Sequence, residues 1–551
     1  MTGRTLLPAQ PRSSLRQATR SAAARVLVVG LNAAAGIIVA RALQPEGRGV
    51  SAMVIAVAGT TIALGYLSVE QAHVLLWPGR RDEIVANSVL LGPAVGALAA
   101  LGAALVVWVG TSLGVMVLHP GMLAVALVSV PAAITALYLG TALVLDARVA
   151  VVNRSMLCVA VLQCGVTLLL AAMGSLTPGW VVTIWSASST VALLVLLAGA
   201  RPRLRCWSPT LARRAVSVGM RFHPGSASLY LTYRLDVLIL GALASPAAVG
   251  LYTLAVTLGE LTRIPTEAVR GVFLPRQAEG DRPDAAEVTA RATRISALLA
   301  AVSVGGLCLT APVLVPIAYG TAFADSVHAL YALGPGLFAL QAGRQIGAFL
   351  IRHDRPLIFS ALPMAALAVS IAANLALIPR WGIVGCALAA SVSYTLLTTA
   401  QVARFCRATG IPWHRLLPGP AEIVMLRRWL ARSTRLVGVL PSAGSAQRKQ
   451  SVVGPPPEDE LVAAPAAATG REVEQLEAAV PREPEDLFRP RHLERVPPDP
   501  VDEVVTPRHA TGYRPNGPAA GHDCADQLLD GGAPVNVHAA ERDEQRPAQA
   551  T

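Results

Sequence analysis

The residues best placed to do chemistry in this chain are ionisable side chains set inside long apolar runs. Arg234 and Asp236 lie two apart in the run 215–243. Glu260, Arg263, Glu267 and Arg270 follow at i, i+3, i+7 and i+10 in the run 247–273, a spacing that puts all four on one face of a continuous helix. Arg344 stands beside Gln341 and Gln345, and Arg25 opens the first apolar run with Asn32 two turns deeper. Charge inside a bilayer is costly, usually faces a bundle interior, and marks a substrate or ion path. Arg25, Arg234, Asp236, Glu260, Arg263 and Arg344 are therefore the candidate substrate-binding residues. They predict a polar cavity of net positive character, in which guanidinium groups pair bidentately with an anion such as pyrophosphate. Structural readings compete with this one. Arg25 and Arg270 can snorkel to the membrane edge, Glu260 and Arg263 can form an i, i+3 pair, and Asp236 can cap or pair at the outer end.

Other chemistry is missing from the pattern. The seven cysteines (Cys158, Cys164, Cys206, Cys308, Cys386, Cys406 and Cys524) and ten histidines are scattered, and no pair has metal-ligand or redox spacing. There is no phosphate-binding glycine loop and no large extramembrane domain. The expectation is a protein with no catalytic residues, no metal, no cofactor and no nucleic-acid partner: a non-enzyme.

Holding such residues in place requires membrane helices. Of the 551 residues 53% are hydrophobic and 15% charged, against about 25% charged in a soluble domain. A spanning helix takes about 20 mostly apolar residues, and twelve such segments are readable near 22–43, 50–69, 85–109, 121–145, 150–173, 179–200, 215–243, 247–273, 290–318, 326–350, 357–378 and 382–405. Alternate loops are basic. One set carries Arg80 and Arg81, Arg148 and Arg154, Arg201 to Arg214, Arg276 and Arg282, Arg352 and Arg355, and Arg404 and Arg407, whereas the other holds only Arg41, Arg48 and Arg380. Basic loops stay cytoplasmic. Both termini are thus expected inside the plasma membrane of a multi-pass protein, which suits an even number of spans.

The chain also repeats weakly at an offset near 201, as Pro45 and Gly49 against Pro246 and Gly250 show. The expected domains are a cytoplasmic N-terminus (1–21), a six-helix bundle (22–200), a basic linker (201–214), a second six-helix bundle (215–406), a juxtamembrane basic amphipathic segment (407–440) and a tail (441–551). Six spans per repeat preserve orientation, so the halves relate by an axis along the membrane normal. Residues 1–440 hold 35 Arg and no Lys against 15 acids, a net +20, and residues 441–551 hold 11 basic against 19 acidic, a net −8. Proline-rich and acidic, the tail is expected to be a disordered cytoplasmic extension. The juxtamembrane segment reads either as an interfacial helix on anionic lipid or as an ordinary basic linker.

Three stretches carry a resemblance. Tyr233 to Gly241 with Val249-Gly250-Leu251-Tyr252 resembles an "R-x-D-x-x-x-L-G … V-G-x-Y" pattern. Asn374 to Ala387 resembles "N-x-x-L-I-P-x-x-G-I-x-G-A-A", with Cys386 in place of the usual small residue, and Leu43 to Gly49 resembles an "L-G-P-E-x-x-G" loop. These patterns belong to oligosaccharide flippases of the multidrug/oligosaccharidyl-lipid/polysaccharide (MOP) exporter superfamily. The resemblance implies an all-α membrane protein of MATE-like fold, with twelve transmembrane helices in two six-helix bundles. It also implies a flippase that moves a polyprenyl-pyrophosphate-linked oligosaccharide across the membrane by alternating access. Its partners would be that lipid-linked glycan, membrane lipids and a coupling ion, H+ or Na+, with the chain acting as a monomer. Only Arg234 and Asp236 fall on a family motif. A cation-coupled multidrug antiporter and a flippase for the peptidoglycan lipid precursor remain as alternatives. The few buried acids of the first half, Glu70 and Asp146, weigh against the antiporter.

Overall fold

Long runs of Ala, Leu and Val in a bilayer must satisfy every backbone polar group internally, and helices do so. The computed structural model describes residues 11–114, 119–279, 282–353, 356–420 and 422–424, all within one unit, Met1–Thr434. No strand occurs among the described residues. The first half runs through α1 (Pro11–Gly65), α2 (Val69–Leu76), α3 (Arg81–Ser112), α4 (Pro120–Val128), α5 (Val130–Leu145), α6 (Val149–Ala172) and α7 (Pro178–Ala200). The second runs through α8 (Pro209–Leu243), α9 (Pro246–Leu261), α10 (Arg263–Glu279), α11 (Arg282–Tyr319), α12 (Ser326–His353) and α13 (Pro356–Thr409). The expected tail, 441–551, and residues 425–440 of the expected juxtamembrane segment lie outside the described residues.

Among the described residues, eight helical stretches are long and apolar enough to cross a membrane. Two of them, Ala24–Leu76 and Ser360–Thr409, run to 53 and 50 residues, and each doubles back. α1 breaks at Gln44 (φ 57°, ψ −179°), just before Pro45. Arg48 Nη1 then donates to the Gly36 carbonyl at 3.3 Å. Twelve residues of straight helix would separate those groups by about 18 Å, so the chain has reversed. α13 breaks at Gly382 (φ 54°, ψ −128°), and a Cβ placed on Gly385 would lie 2.2 Å from the Leu377 carbonyl oxygen. That contact requires the same reversal.

The run expected as one span at 247–273 is two helices, α9 and α10, with Thr262 between them. Pro265 has no N–H to offer the carbonyl of Leu261. The helix stops there, and Thr262 Oγ1 donates to the Gly259 carbonyl at 2.6 Å. The single face expected to carry Glu260, Arg263, Glu267 and Arg270 is therefore interrupted between its first and second members.

Loops that alternate along the chain gather at two ends. At one end Asp146, following α5, takes Arg81 Nε at 2.7 Å and Arg148 Nε at 2.9 Å. There Asp82 also meets Arg203 at 3.4 Å, so three of the basic loops converge. At the other end Arg41 Nε donates to the Ala318 carbonyl at 2.9 Å and Arg41 Nη2 to that of Ile317 at 2.5 Å. The Arg41 side chain thus supplies donors to the last carbonyls of α11. Ser326 Oγ at the start of α12 donates to Leu251 of α9 at 2.8 Å.

The residues of the 201-residue repeat meet each other. A Cβ on Gly49 would lie 1.7 Å from the carbonyl oxygen of Pro246, and a Cβ on Gly250 would lie 1.9 Å from that of Pro45. The contact is reciprocal: the glycine of each copy receives the proline carbonyl of the other. Only glycine lets the two backbones approach this closely. The largest buried cluster lies behind it, where Val237, Leu240, Val249, Tyr252, Leu254, Leu333, Cys386 and Tyr394 join α8, α9, α12 and α13. A second cluster, including Val57, Val69, Val130, Ile134, Tyr138 and Ala215, joins α1, α2, α5 and the start of α8.

Candidate functional site

The reversal at Gln44 returns Arg48 alongside the earlier part of α1. Arg48 is 9% exposed. Its Nη1 reaches Gly36, and its Nη2 donates to Thr257 Oγ1 of α9 at 3.3 Å. Its Nε is buried and has no hydrogen-bond partner among the described residues. Arg234 of α8 donates through Nη2 to Glu260 Oε1 at the end of α9, one turn beyond Thr257. Both arginines line a cavity of about 460 Å³, within the range of roughly 300–1,000 Å³ typical of small-ligand sites.

The cavity wall is built from both halves of the chain. α1 contributes Asn32, Gly36, Arg48 and Ser51, α6 contributes Gln163 and Thr167, and α7 contributes Trp185. From the second half come Tyr230 and Arg234 of α8 and Thr253 and Thr257 of α9. Among the described lining residues there is no carboxylate. Arg48 brings a positive charge to this wall, and Arg234, paired with Glu260, adds a second guanidinium among hydroxyls, amides, one indole and apolar side chains. Such a wall can hold an anion through charge-assisted hydrogen bonds, which are roughly twice as strong as neutral ones.

The other candidates fall into separate places. Glu267 Oε1 receives Arg344 Nη1 at 2.9 Å and Arg263 Nε at 3.2 Å. Arg344 Nε also donates to Gln341 Oε1 at 3.1 Å, and Thr266 Oγ1 donates to the same oxygen at 3.2 Å. Gln345 Nε2 reaches Ser296 Oγ at 3.1 Å. This second polar group ties α10 to α12 and α11 and does not line the cavity. Arg25 is exposed on α1 and does not line it either.

Asp236 is 1% exposed and lies inside the contact of α8, α9 and α13. Its carboxylate accepts hydrogen bonds from the Tyr252 hydroxyl and from the Val237 N–H, the latter at 2.8 Å. The Cys386 thiol lies 3.8 Å from its carbonyl oxygen. Two residues apart on one helix, Arg234 and Asp236 face different surroundings, as helical geometry requires. The structure thus brings together Arg234 and Glu260, and separately Arg263 and Arg344, while Arg25 and Asp236 stand apart.

Arg48 does not stand out as a site residue in the sequence, because a short polar stretch containing Pro45, Glu46 and Gly47 reads as an exposed loop. Its signal was the paired proline–glycine repeat, which marks a crossing of two backbones rather than a solvent-facing turn.

Over residues 38–328 the sequence matches the family described as "Polysaccharide biosynthesis protein". In fold the chain is similar to a lipid II flippase, MurJ, in an inward closed conformation, with 12% identity, 72% of this chain and 89% of that chain covered, and a TM-score of 0.57. It is also similar to a multidrug resistance MATE family transporter of the MOP superfamily. The outward-facing form of that transporter has 15% identity, 71% and 93% coverage and a TM-score of 0.52. Its inward-facing form has 15% identity, 69% and 94% coverage and a TM-score of 0.50. No curated protein matches the chain in sequence.

Proposed function

The chain belongs to the polysaccharide biosynthesis protein family, and from that membership we propose that it is a flippase for a polyprenyl-pyrophosphate-linked oligosaccharide of the cell surface. The cavity lined by Arg48 and Arg234 carries the reading. A pyrophosphate offers several anionic oxygens, and two guanidinium forks lining one cavity suit it as one ammonium would not. Asn32, Gln163, Thr167 and Thr253 supply neutral donors and acceptors suited to sugar hydroxyls. A cationic drug would favour a carboxylate, which the described wall lacks; this supports the flippase over the antiporter.

We infer twelve passes. Each of the two reversing helices contributes two, the α9–α10 pair contributes one, α12 contributes one, and the remaining six apolar stretches complete the set. The end where Arg81, Arg148 and Arg203 converge is then cytoplasmic by the positive-inside rule. The end closed by Arg41 and the Gly49–Gly250 crossing faces out. Alternating access would open and close these two ends about the cavity, with the halves 22–200 and 215–406 as the moving bodies.

The test is removal of each guanidinium in cells whose surface glycan depends on this chain. Arg48→Ala and Arg234→Ala should each abolish the surface glycan and leave lipid-linked precursor on the inner leaflet, with the protein still in the membrane. Normal surface glycan in both variants would refute the assignment.

A further inference from the structure

The joint between α1 and α2 has unusual backbone. Leu67 (φ 51°) and Ser68 (φ 49°) are consecutive non-glycine residues in the left-handed region. Such strain persists where the surroundings impose it, and it gathers at functional positions. Here α8 imposes it. A Cβ on Gly219 would lie 2.5 Å from the Leu67 carbonyl oxygen and 2.9 Å from that of Ser68, so the α8 backbone presses directly on the joint. One turn further along α8, His223 places Nδ1 3.4 Å from Ser68 Oγ and Nε2 3.0 Å from the Leu64 carbonyl. Its ring meets Tyr66 edge-on at 5.5 Å.

Glu70 and His73 follow the joint on α2. Glu70 Oε2 and His73 Nδ1 are both buried, and neither has a hydrogen-bond partner among the described residues; His73 is only 1% exposed. Tyr138 of α5 stacks edge-on against His73 at 5.7 Å and donates its hydroxyl to the Tyr66 carbonyl at 2.6 Å. The titratable groups that interact with Glu70 are Tyr66 at the joint and Tyr138 of α5; His73 follows one turn along α2, and His223 of α8 meets the joint at Ser68 and Tyr66. Arg221 of α8 is exposed. No ion pair among the described residues includes Glu70. Nothing in this group lines the cavity.

An ionised oxygen buried without a partner is costly, and its ordinary relief is a proton. A protonated carboxyl becomes a donor where the carboxylate could only accept, so one proton changes what α2 offers beside a strained joint. We propose that this joint is a proton-exchange site, in which Glu70 takes up and releases the proton beside Tyr66 and Tyr138. Uptake breaks one O–H bond of a hydronium ion, leaving water, and forms one O–H bond on Glu70, which cancels one negative charge; release reverses both. The flippase reading makes this site the source of its coupling ion, and the proposal rests on that reading for the role alone.

Infrared difference spectra of the purified full-length protein, titrated between about pH 5 and 8, test the site without any glycan. The wild type should show a protonated-carboxyl band that titrates and disappears in Glu70→Gln. Glu70→Asp, which keeps a carboxyl, should shift the band rather than lose it and serves if the Gln variant does not fold. In cells, Glu70→Gln should lose glycan export and Glu70→Asp should retain it. Absence of a titrating band, or a band unchanged in Glu70→Gln and Glu70→Asp, overturns the proton site. The flippase reading fails separately, when the Arg48 and Arg234 variants export normally.

Discussion

Arg48 and Asp236 show two ways in which a membrane interior accommodates charge. Arg48 spends its two terminal nitrogens on a backbone carbonyl and a threonine and leaves Nε buried without a described partner. The geometry of a fork matters there. Arg48→Lys keeps the charge but loses the second direction of donation, and hydrogen bonds to charged groups are worth about 1.5–3 kcal/mol. The expected outcome is a fall in export rate of at least ~10-fold, measured as appearance of glycan at the surface after induction. Asp236 instead is held by Tyr252 within the protein core. Tyr252→Phe removes its hydroxyl donor and should lower stability by about 1–3 kcal/mol, read as an earlier thermal transition in detergent. Export by the protein that remains folded should be unchanged; a variant that is fully stable yet cannot export would put Asp236 in the transport site. The sequence motif placed Arg234 and Asp236 together as site residues. Only the alternation of helical faces separates them, and a motif does not say which face meets the cavity.

Among the elements, the apolar runs were legible because about 20 residues of hydrocarbon-compatible sequence leave a plain signature. Breaks and reversals were harder to read. Pro265 was visible as a proline in a span, yet prolines kink many membrane helices without ending them. The structure shows that this one divides Glu260 from Arg263 and sends them to different partners. The reciprocal crossing of α1 and α9 yields a symmetric prediction. Gly49→Ala and Gly250→Ala each put a methyl against a proline carbonyl, and overpacking of this kind costs typically about 1–3 kcal/mol. Both variants should melt earlier, and by similar amounts. A neutral result for either one would mean that the two backbones are not in contact there.

For the whole molecule, dividing the net charge was more informative than its total of +12. Basic loops that alternate along the chain are the ones drawn together at one end by Asp82 and Asp146, so part of the orientation signal also serves as cross-loop bonding. Truncation after residue 440 should leave surface glycan at its normal level. Loss of export from a stable truncated protein would show that the acidic extension takes part. The cavity itself could not be read from the sequence, because its wall draws on five helices from both halves and depends on a reversal of α1. The glycine crossing carries a consequence for populations. In the proposed transport cycle this contact belongs to the state in which that end is shut, and side chains added at Gly49 or Gly250 would penalise that state. The two glycines therefore act as a bias on the resting equilibrium. A variant that still folds should spend more time open at that end, and a thiol reagent would reach a cysteine placed behind the crossing faster than in the wild type.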